Sequence, residues 1–304
     1  MSVKSLRHAA APATAALFGI VIVIGCGKQN ETPAVDSVAP KSVALEKQPA
    51  PALAGLRPFR DVVVQEVPEG EHRPPDTTVT GKVVGKLYEQ VAGREGQPGL
   101  FDQVTFADAK GRKIRYFAVL KTDDGEIRIE LLGDSAPNHV RSFIALARAG
   151  YYDGLPFHRS VLSKLQDKAE AFVEAGCPLG TGEFGYGSIG YWLKPEISEE
   201  LIHDEGTIGA WHGLTAKGDQ AGTFEDLDNA ACKFYLTLAK APWRDASFTI
   251  FGKVIQGLDV GHKINRRPNL ADPGLEDRPQ QPAIIRQVII EEVVAGGAQV
   301  ASRQ

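Results

Sequence analysis

Three cysteines in 304 residues are too few for a disulfide framework. Basic residues number 34 against 38 acidic ones, a formal charge of −4, and no block of lysine and arginine interrupts the chain. A non-specific nucleic-acid surface needs clustered cations, so no nucleic-acid partner is expected. Gly81-Lys82 and Gly85-Lys86 lack the serine or threonine that completes a phosphate-binding loop. His203-Asp204 and His212 are near in sequence, but a metal site needs a further ligand at suitable geometry. His203 reads better as a residue that satisfies a loop. Nothing signals a base beside a thiolate, as a cysteine hydrolase requires. Cys177 and Cys232 sit among apolar residues and read as buried thiols, with a disulfide the alternative in an oxidising compartment.

What is present begins with an export pattern. Lys4 and Arg7 precede an apolar run from about Ala9 to Ile24, short for a membrane span and carrying Pro12. It ends in Val23-Ile24-Gly25-Cys26, which resembles a bacterial lipobox. That resemblance implies lipidation of Cys26 and a protein held on a membrane of the bacterial cell envelope, since several acyl chains anchor where one does not. A plain secretory signal or an uncleaved anchor is the alternative. Residues 27–59 carry Pro33, Pro40, Pro49, Pro51 and Pro58 without a sustained helical or strand period, and read as an extended tether.

Residues 60–114 read as an N-terminal extension packed on the main domain. Asp61-Val62-Val63-Val64 suggests a short strand. Val83, Val84, Leu87, Tyr88 and Val91 recur at helical spacing, predicting a docking helix over Gly81–Val91. The main domain spans 115–294, with a tail at 295–304. Tyr116–Lys121, a turn at Asp123-Asp124-Gly125, and the alternation from Glu126 to Leu131 predict a hairpin. Ser135 is the expected cap of a helix with Pro137 in its first turn, Val140, Phe143, Ile144 and Ala147 as its buried stripe, and Gly150 at its end. Further strands are predicted at Lys233–Ala239, Phe248–Val254 and Ile284–Val294, with a second helix at Gly257–Arg266. Many strands and two main helices indicate a mainly β protein, a closed barrel capped at its ends.

Several segments carry a resemblance to cyclophilin-type prolyl isomerases. In order, they begin with the hairpin and the helix at Ala136-Pro137-Asn138, followed by Tyr151 to Phe157-His158-Arg159. Glu174-Ala175-Gly176-Cys177-Pro178 is similar to the family's Gln-Gly-Gly-Asp/Cys-Pro. Gly206-Thr207-Ile208-Gly209-Ala210-Trp211-His212 stands at Gly-x-Leu-Ser-Met-Ala-Asn. Cys232-Lys233-Phe234-Tyr235-Leu236 stands at Ser-Gln-Phe-Phe-Ile. Trp243-Arg244-Asp245 and Phe251-Gly252-Lys253-Val254 complete the series. The resemblance implies an eight-stranded barrel with two capping helices and peptidyl-prolyl cis–trans isomerase activity on proline-containing segments of exported proteins. It implies no cofactor and no covalent intermediate, and a monomer is expected.

On that mapping Arg159 is the catalytic arginine. Phe172 and Tyr235 line the proline pocket or pack in the core, and Trp243 stands at the pocket rim or has a structural role. Phe157 reads as core. Glu174 and Lys233 both replace glutamines, Trp211 a small alanine, His212 an asparagine and Phe248 a rim histidine. Glu174 could form an ion pair that ties up the Arg159 fork. The polar insertion Ser163–Phe172 is expected to form a helical loop. These departures imply altered substrate preference and weakened catalysis, with a non-catalytic proline-peptide binding module as the alternative.

Overall fold

The structure is a computed structural model that describes residues 56–64, 74–165, 168–182, 188–211, 232–245 and 247–296. All of them belong to one compact unit, Leu45–Gln304. Cys26, His212, the export segment, most of the tether and the tail from 297 lie outside the described residues.

The chain enters through a helical turn, α1 (Phe59–Val62), and a two-residue strand, β1 (Val63–Val64). So only the end of the expected Asp61–Val64 strand is extended. It pairs with Trp192 and Leu193. Helix α2 (Val84–Ala92) follows, then a small hairpin of β2 (Gly93–Arg94) and β3 (Gln97–Pro98). The main sheet begins with β4 (Ile114–Thr122) and β5 (Gly125–Leu131), joined by the tight turn the alternation required. After α3 (Pro137–Arg148) come β6 (Phe157–Leu165), β7 (Lys168–Ala175), the short β8 (Trp192–Leu193), β9 (Thr207–Ala210) and β10 (Phe234–Thr237). A 3-10 turn at Pro242–Arg244 precedes β11 (Ile250–Gln256), α4 (Leu258–Asn265) and β12 (Ile285–Val294).

The eight long strands form one antiparallel sheet in the order β12-β4-β5-β11-β9-β10-β7-β6. The sheet curls until its two outer strands approach at their beginnings. There Pro156 bridges Ile284, Phe157 N–H donates to Ala283 O at 2.8 Å, and Ile285 N–H donates to Leu155 O at 2.9 Å. The expected closed barrel is therefore a curled sheet whose edges are joined by this short seam. Helix α3 packs against β11 and β12, and α4 against β5, β6 and β7, so two helices pack on the curled sheet.

The core follows from strand alternation and the α3 stripe: Ile127, Ile129, Val140, Phe143, Ile144, Phe157 and Phe234 are all buried. Each such side chain contributes roughly 1.5–3 kcal/mol on burial. The extension shares this core. Val84, Leu87 and Val91 are buried, whereas Val83 is exposed. Phe59 meets Phe101 and Tyr191 edge-on at 5.1 and 4.9 Å. Buried Arg141 of α3 lies 4.0 Å from the centre of the Phe101 ring and donates to Arg57 O at 2.7 Å, fastening the extension to the helix.

Two local expectations are corrected. The first residue before α3 is Ala136, with no side-chain cap. The helix start is capped from afar by Glu196, whose carboxylate accepts from Asn138 N–H at 3.1 Å and His139 N–H at 3.0 Å. A carboxylate there also complements the helix dipole, so the nearby serine is not needed. The insertion before Phe172 is not helical. β6 runs on to Leu165 and β7 begins at Lys168, so the polar segment extends a hairpin. Its polarity marks outlying strands, not a helix face.

Candidate active site

The site lies where β6, β7 and β10 run side by side. In register, Arg159 stands opposite Glu174, and Glu174 opposite Tyr235. The two-residue repeat of a strand puts Glu170, Phe172 and Glu174 on one face of β7, and Lys233 and Tyr235 on one face of the β10 segment. A single patch of sheet thus gathers Arg159, Phe172, Glu174, Lys233 and Tyr235. Trp211 and Phe248 pack onto Phe172 and Tyr235 from the flanking segments. Trp211 stacks on Phe172 with centroids 6.0 Å apart and tilts against Phe248 at 5.8 Å. Trp243 stands in the adjoining 3-10 turn, 38% exposed, and Phe157 is buried in the core.

Glu174 is wholly buried and is the charge centre of the site. Its Oε1 lies 3.1 Å from His158 Nε2 and 3.4 Å from Lys233 Nζ; Oε2 lies 3.7 Å from Arg159 Nη1. Burial alone would raise its pKa, but Lys233, the His158 hydrogen bond and Arg159 outweigh burial and hold it at about 2. Glu174 is therefore ionised at neutral pH. Lys233 is equally enclosed, its side chain only 4% exposed. The two glutamine replacements noted in the sequence are thus a single change: a buried ion pair in place of two amides.

The expected ion pair between Glu174 and Arg159 forms, but it does not engage the guanidinium fork. The 3.7 Å separation is an ion pair without a hydrogen bond. Arg159 Nε and Nη2 instead donate to Asp277 Oδ2 at 3.2 and 2.9 Å. The same Asp277 accepts Ser160 N–H on its backbone oxygen at 2.7 Å, which pins the loop after α4 to β6. Among the described residues Nη1 makes no hydrogen bond. The guanidinium lies 5.2 Å from the ring centres of both Phe172 and Trp211, and the side chain is one-third exposed. Asp277 sits in a loop with no motif, so no sequence signal marked it.

Tyr235 has its hydroxyl 2.7 Å from His203 Nε2, and His203 Nδ1 is 2.7 Å from Asp245 Oδ1. Burial raises the Tyr235 pKa well above its usual range, so the phenol is neutral. Burial lowers that of His203 against the pull of Asp245. The tyrosine ring fits because β9 has glycine opposite: a Cβ on Gly209 would lie 2.2 Å from the phenol oxygen. Gly209 stands where the family pattern has serine, and Tyr235 where it has phenylalanine, so these departures also compensate one another. His203 does satisfy a loop, as its backbone N–H donates to Asp245 at 2.6 Å. Among the described residues no cluster could hold a metal ion, and Cys177 and Cys232 are buried and not joined in a disulfide.

Sequence comparison agrees with this architecture. Residues 117–290 match the family model described as cyclophilin type peptidyl-prolyl cis-trans isomerase/CLD. The chain belongs to the cyclophilin-type peptidyl-prolyl cis-trans isomerase family. It is 33% identical over 163 residues to peptidyl-prolyl cis-trans isomerase ppi1 of Schizosaccharomyces pombe, covering 54% of this chain and 91% of that one. It is 29% identical over 233 residues to peptidyl-prolyl cis-trans isomerase-like 2 of Rhizopus delemar, covering 74% of this chain. The match spans only 39% of that relative, and only 27% of isomerase cyp15 of the same fungus. A crystal structure of a cyclophilin type isomerase from Cryptosporidium parvum matches 60% of this chain and 99% of its own, with 21% identity and a TM-score of 0.46.

Proposed function

We propose that this domain catalyses cis–trans isomerisation of X–Pro bonds in exported polypeptides, acting as a monomer. The observation that carries the reading is Arg159, a partly exposed guanidinium held by Asp277 beside an aromatic cluster, with Nη1 uncommitted to any hydrogen bond among the described residues. Rotation about an X–Pro amide faces a barrier of roughly 20 kcal/mol because twisting destroys resonance. Cis and trans differ by only about 1 kcal/mol, so both forms are available. In the twisted state the prolyl nitrogen regains its lone pair. A guanidinium fixed in advance can donate to the prolyl carbonyl, which holds the peptide, and approach the prolyl nitrogen as its lone pair localises. No bond is broken, and the chemistry asks only for a positioned donor and an apolar seat for the ring.

A protease-coupled assay on a series of X–Pro peptides tests this. Arg159→Ala should lower kcat/KM about 100-fold or more, the effect of removing one preorganised donor. Wild-type rates equal to the uncatalysed background would overturn the reading. The second reading, a proline-peptide binding module, is favoured by the bulk of Trp211 within the cluster; peptide binding without rate enhancement identifies it.

The lipobox-like Val23-Ile24-Gly25-Cys26 supports placement at the bacterial cell envelope through a lipid on Cys26. Membrane fractionation should show Cys26→Ser released to the soluble fraction; an unchanged membrane fraction counts against lipidation.

A further inference from the structure

The seat beside Phe172 is already filled by the chain itself. Arg244, from the 3-10 turn, has its guanidinium carbon 4.8 Å from the ring centre of Phe172, 5.0 Å from Phe248, 5.1 Å from Tyr235 and 5.4 Å from Trp211. A cation at these distances from four ring centres occupies the space the rings define. The side chain is 8% exposed. Its Nη2 donates at 2.5 Å to Glu170 Oε1, on the same strand as Phe172 and Glu174. The arginine backbone is held as well: Arg244 O accepts from Phe248 N–H at 3.0 Å, linking it to one wall of the box. The rings, the guanidinium and its carboxylate therefore form one closed set.

We infer that Arg244, latched by Glu170, is the resident occupant of this aromatic box, and that a peptide's prolyl ring must displace it to enter. The inference deepens the isomerase reading and rests on it for the identity of the peptide. A prolyl ring and a guanidinium are of similar size and cannot share the box. Two features make displacement feasible. Glu170 is 30% exposed, so water can take over its bond, and the arginine chain is long enough to turn its head outward. Peptide affinity is then reduced by the fraction of molecules in which the box is closed. The motif Trp243-Arg244-Asp245 contained this residue, but sequence alone put the tryptophan at the site and not its neighbour.

The test uses the full chain and the indole N–H resonance of Trp211, assigned with Trp211→Phe. Methylguanidinium should shift this resonance in Arg244→Ala, where the box is vacated, and not in wild type. No shift in the variant would overturn the box. A tetrapeptide containing Ala-Pro should bind Arg244→Ala roughly tenfold more tightly than wild type. Glu170→Gln, which only loosens the latch, should move affinity the same way by a smaller factor, and it serves if Arg244→Ala fails to fold. Unchanged or weaker peptide binding in the folded variants would overturn the gate. Tighter binding with no turnover by wild type or either variant would uphold the gate and overturn the isomerase reading.

Discussion

Glu174 and Lys233 show how a buried charge is tolerated in this site. Each alone would be an uncompensated ion, at a cost of several kcal/mol; together they offset one another, with His158 and Arg159 completing the set. Replacing either by glutamine should therefore destabilise the protein, and replacing both should cost less than the sum. A double-mutant cycle by chemical denaturation should return a coupling of about 1–3 kcal/mol. Additive losses would show the pair to be independent. Asp277 acts at the same scale, through the proposed catalytic group Arg159. It touches only Arg159 among the proposed catalytic groups, so it is a positioning residue. Asp277→Asn should lower kcat about tenfold with little change in KM, because the guanidinium remains but loses its fixed orientation. Arg159→Lys should not restore activity in either background, since a point charge lacks the planar fork. A change confined to KM would move Asp277 from positioning to binding.

At the scale of elements, α3 and β9 are each set by one distant partner. The start of α3 depends on Glu196, which also takes His139 Nδ1 at 2.7 Å in a buried contact. Glu196→Ala removes the cap and leaves the histidine without its carboxylate. Thermal or denaturant unfolding should show a loss of about 2 kcal/mol. Strand β9 depends on having no side chain at Gly209. Gly209→Ala drives a methyl into the Tyr235 ring. It should cost about 1–3 kcal/mol, as overpacked cores do. An unchanged melting temperature would mean the ring relocates freely, which its bond to His203 argues against.

The whole molecule should be an acid-sensitive fold. His203 has a pKa lowered from 6.5 by burial, so between its folded value and 6.5 the unfolded chain holds more protons. Stability therefore falls as pH drops below about 6.5, the ordinary histidine value. Glu174 has a pKa lowered from 4.5 to about 2, so its stabilisation is complete above 4.5 and is lost as pH falls towards 2. Denaturation midpoints across pH should show both windows, and His203→Gln should flatten the upper one alone. A profile level from pH 7 to 3 would remove both residues from the account.

Periodicity and turn chemistry made the β4–β5 hairpin, α3 and β12 legible, because local preferences and the buried face agree there. The ordered motifs identified the family and located Arg159, Phe172, Glu174, Lys233 and Tyr235 on the strands that bring them together. Less legible was everything fixed by contacts across long chain separations. Glu196 reaches α3 from 58 positions away, and Asp277 reaches Arg159 from 118. Neither lies in a motif or at a telling period. That Glu174 meets Lys233 more closely than Arg159, and that Arg244 fills the aromatic box, depended on strand register and on which side chains share one face. Sequence alone determined the fold family and the chemistry available to it. Only the tertiary structure decided which charges neutralise one another and what occupies the site, because ion pairing and packing depend on distances of a few ångströms that no spacing along the chain encodes.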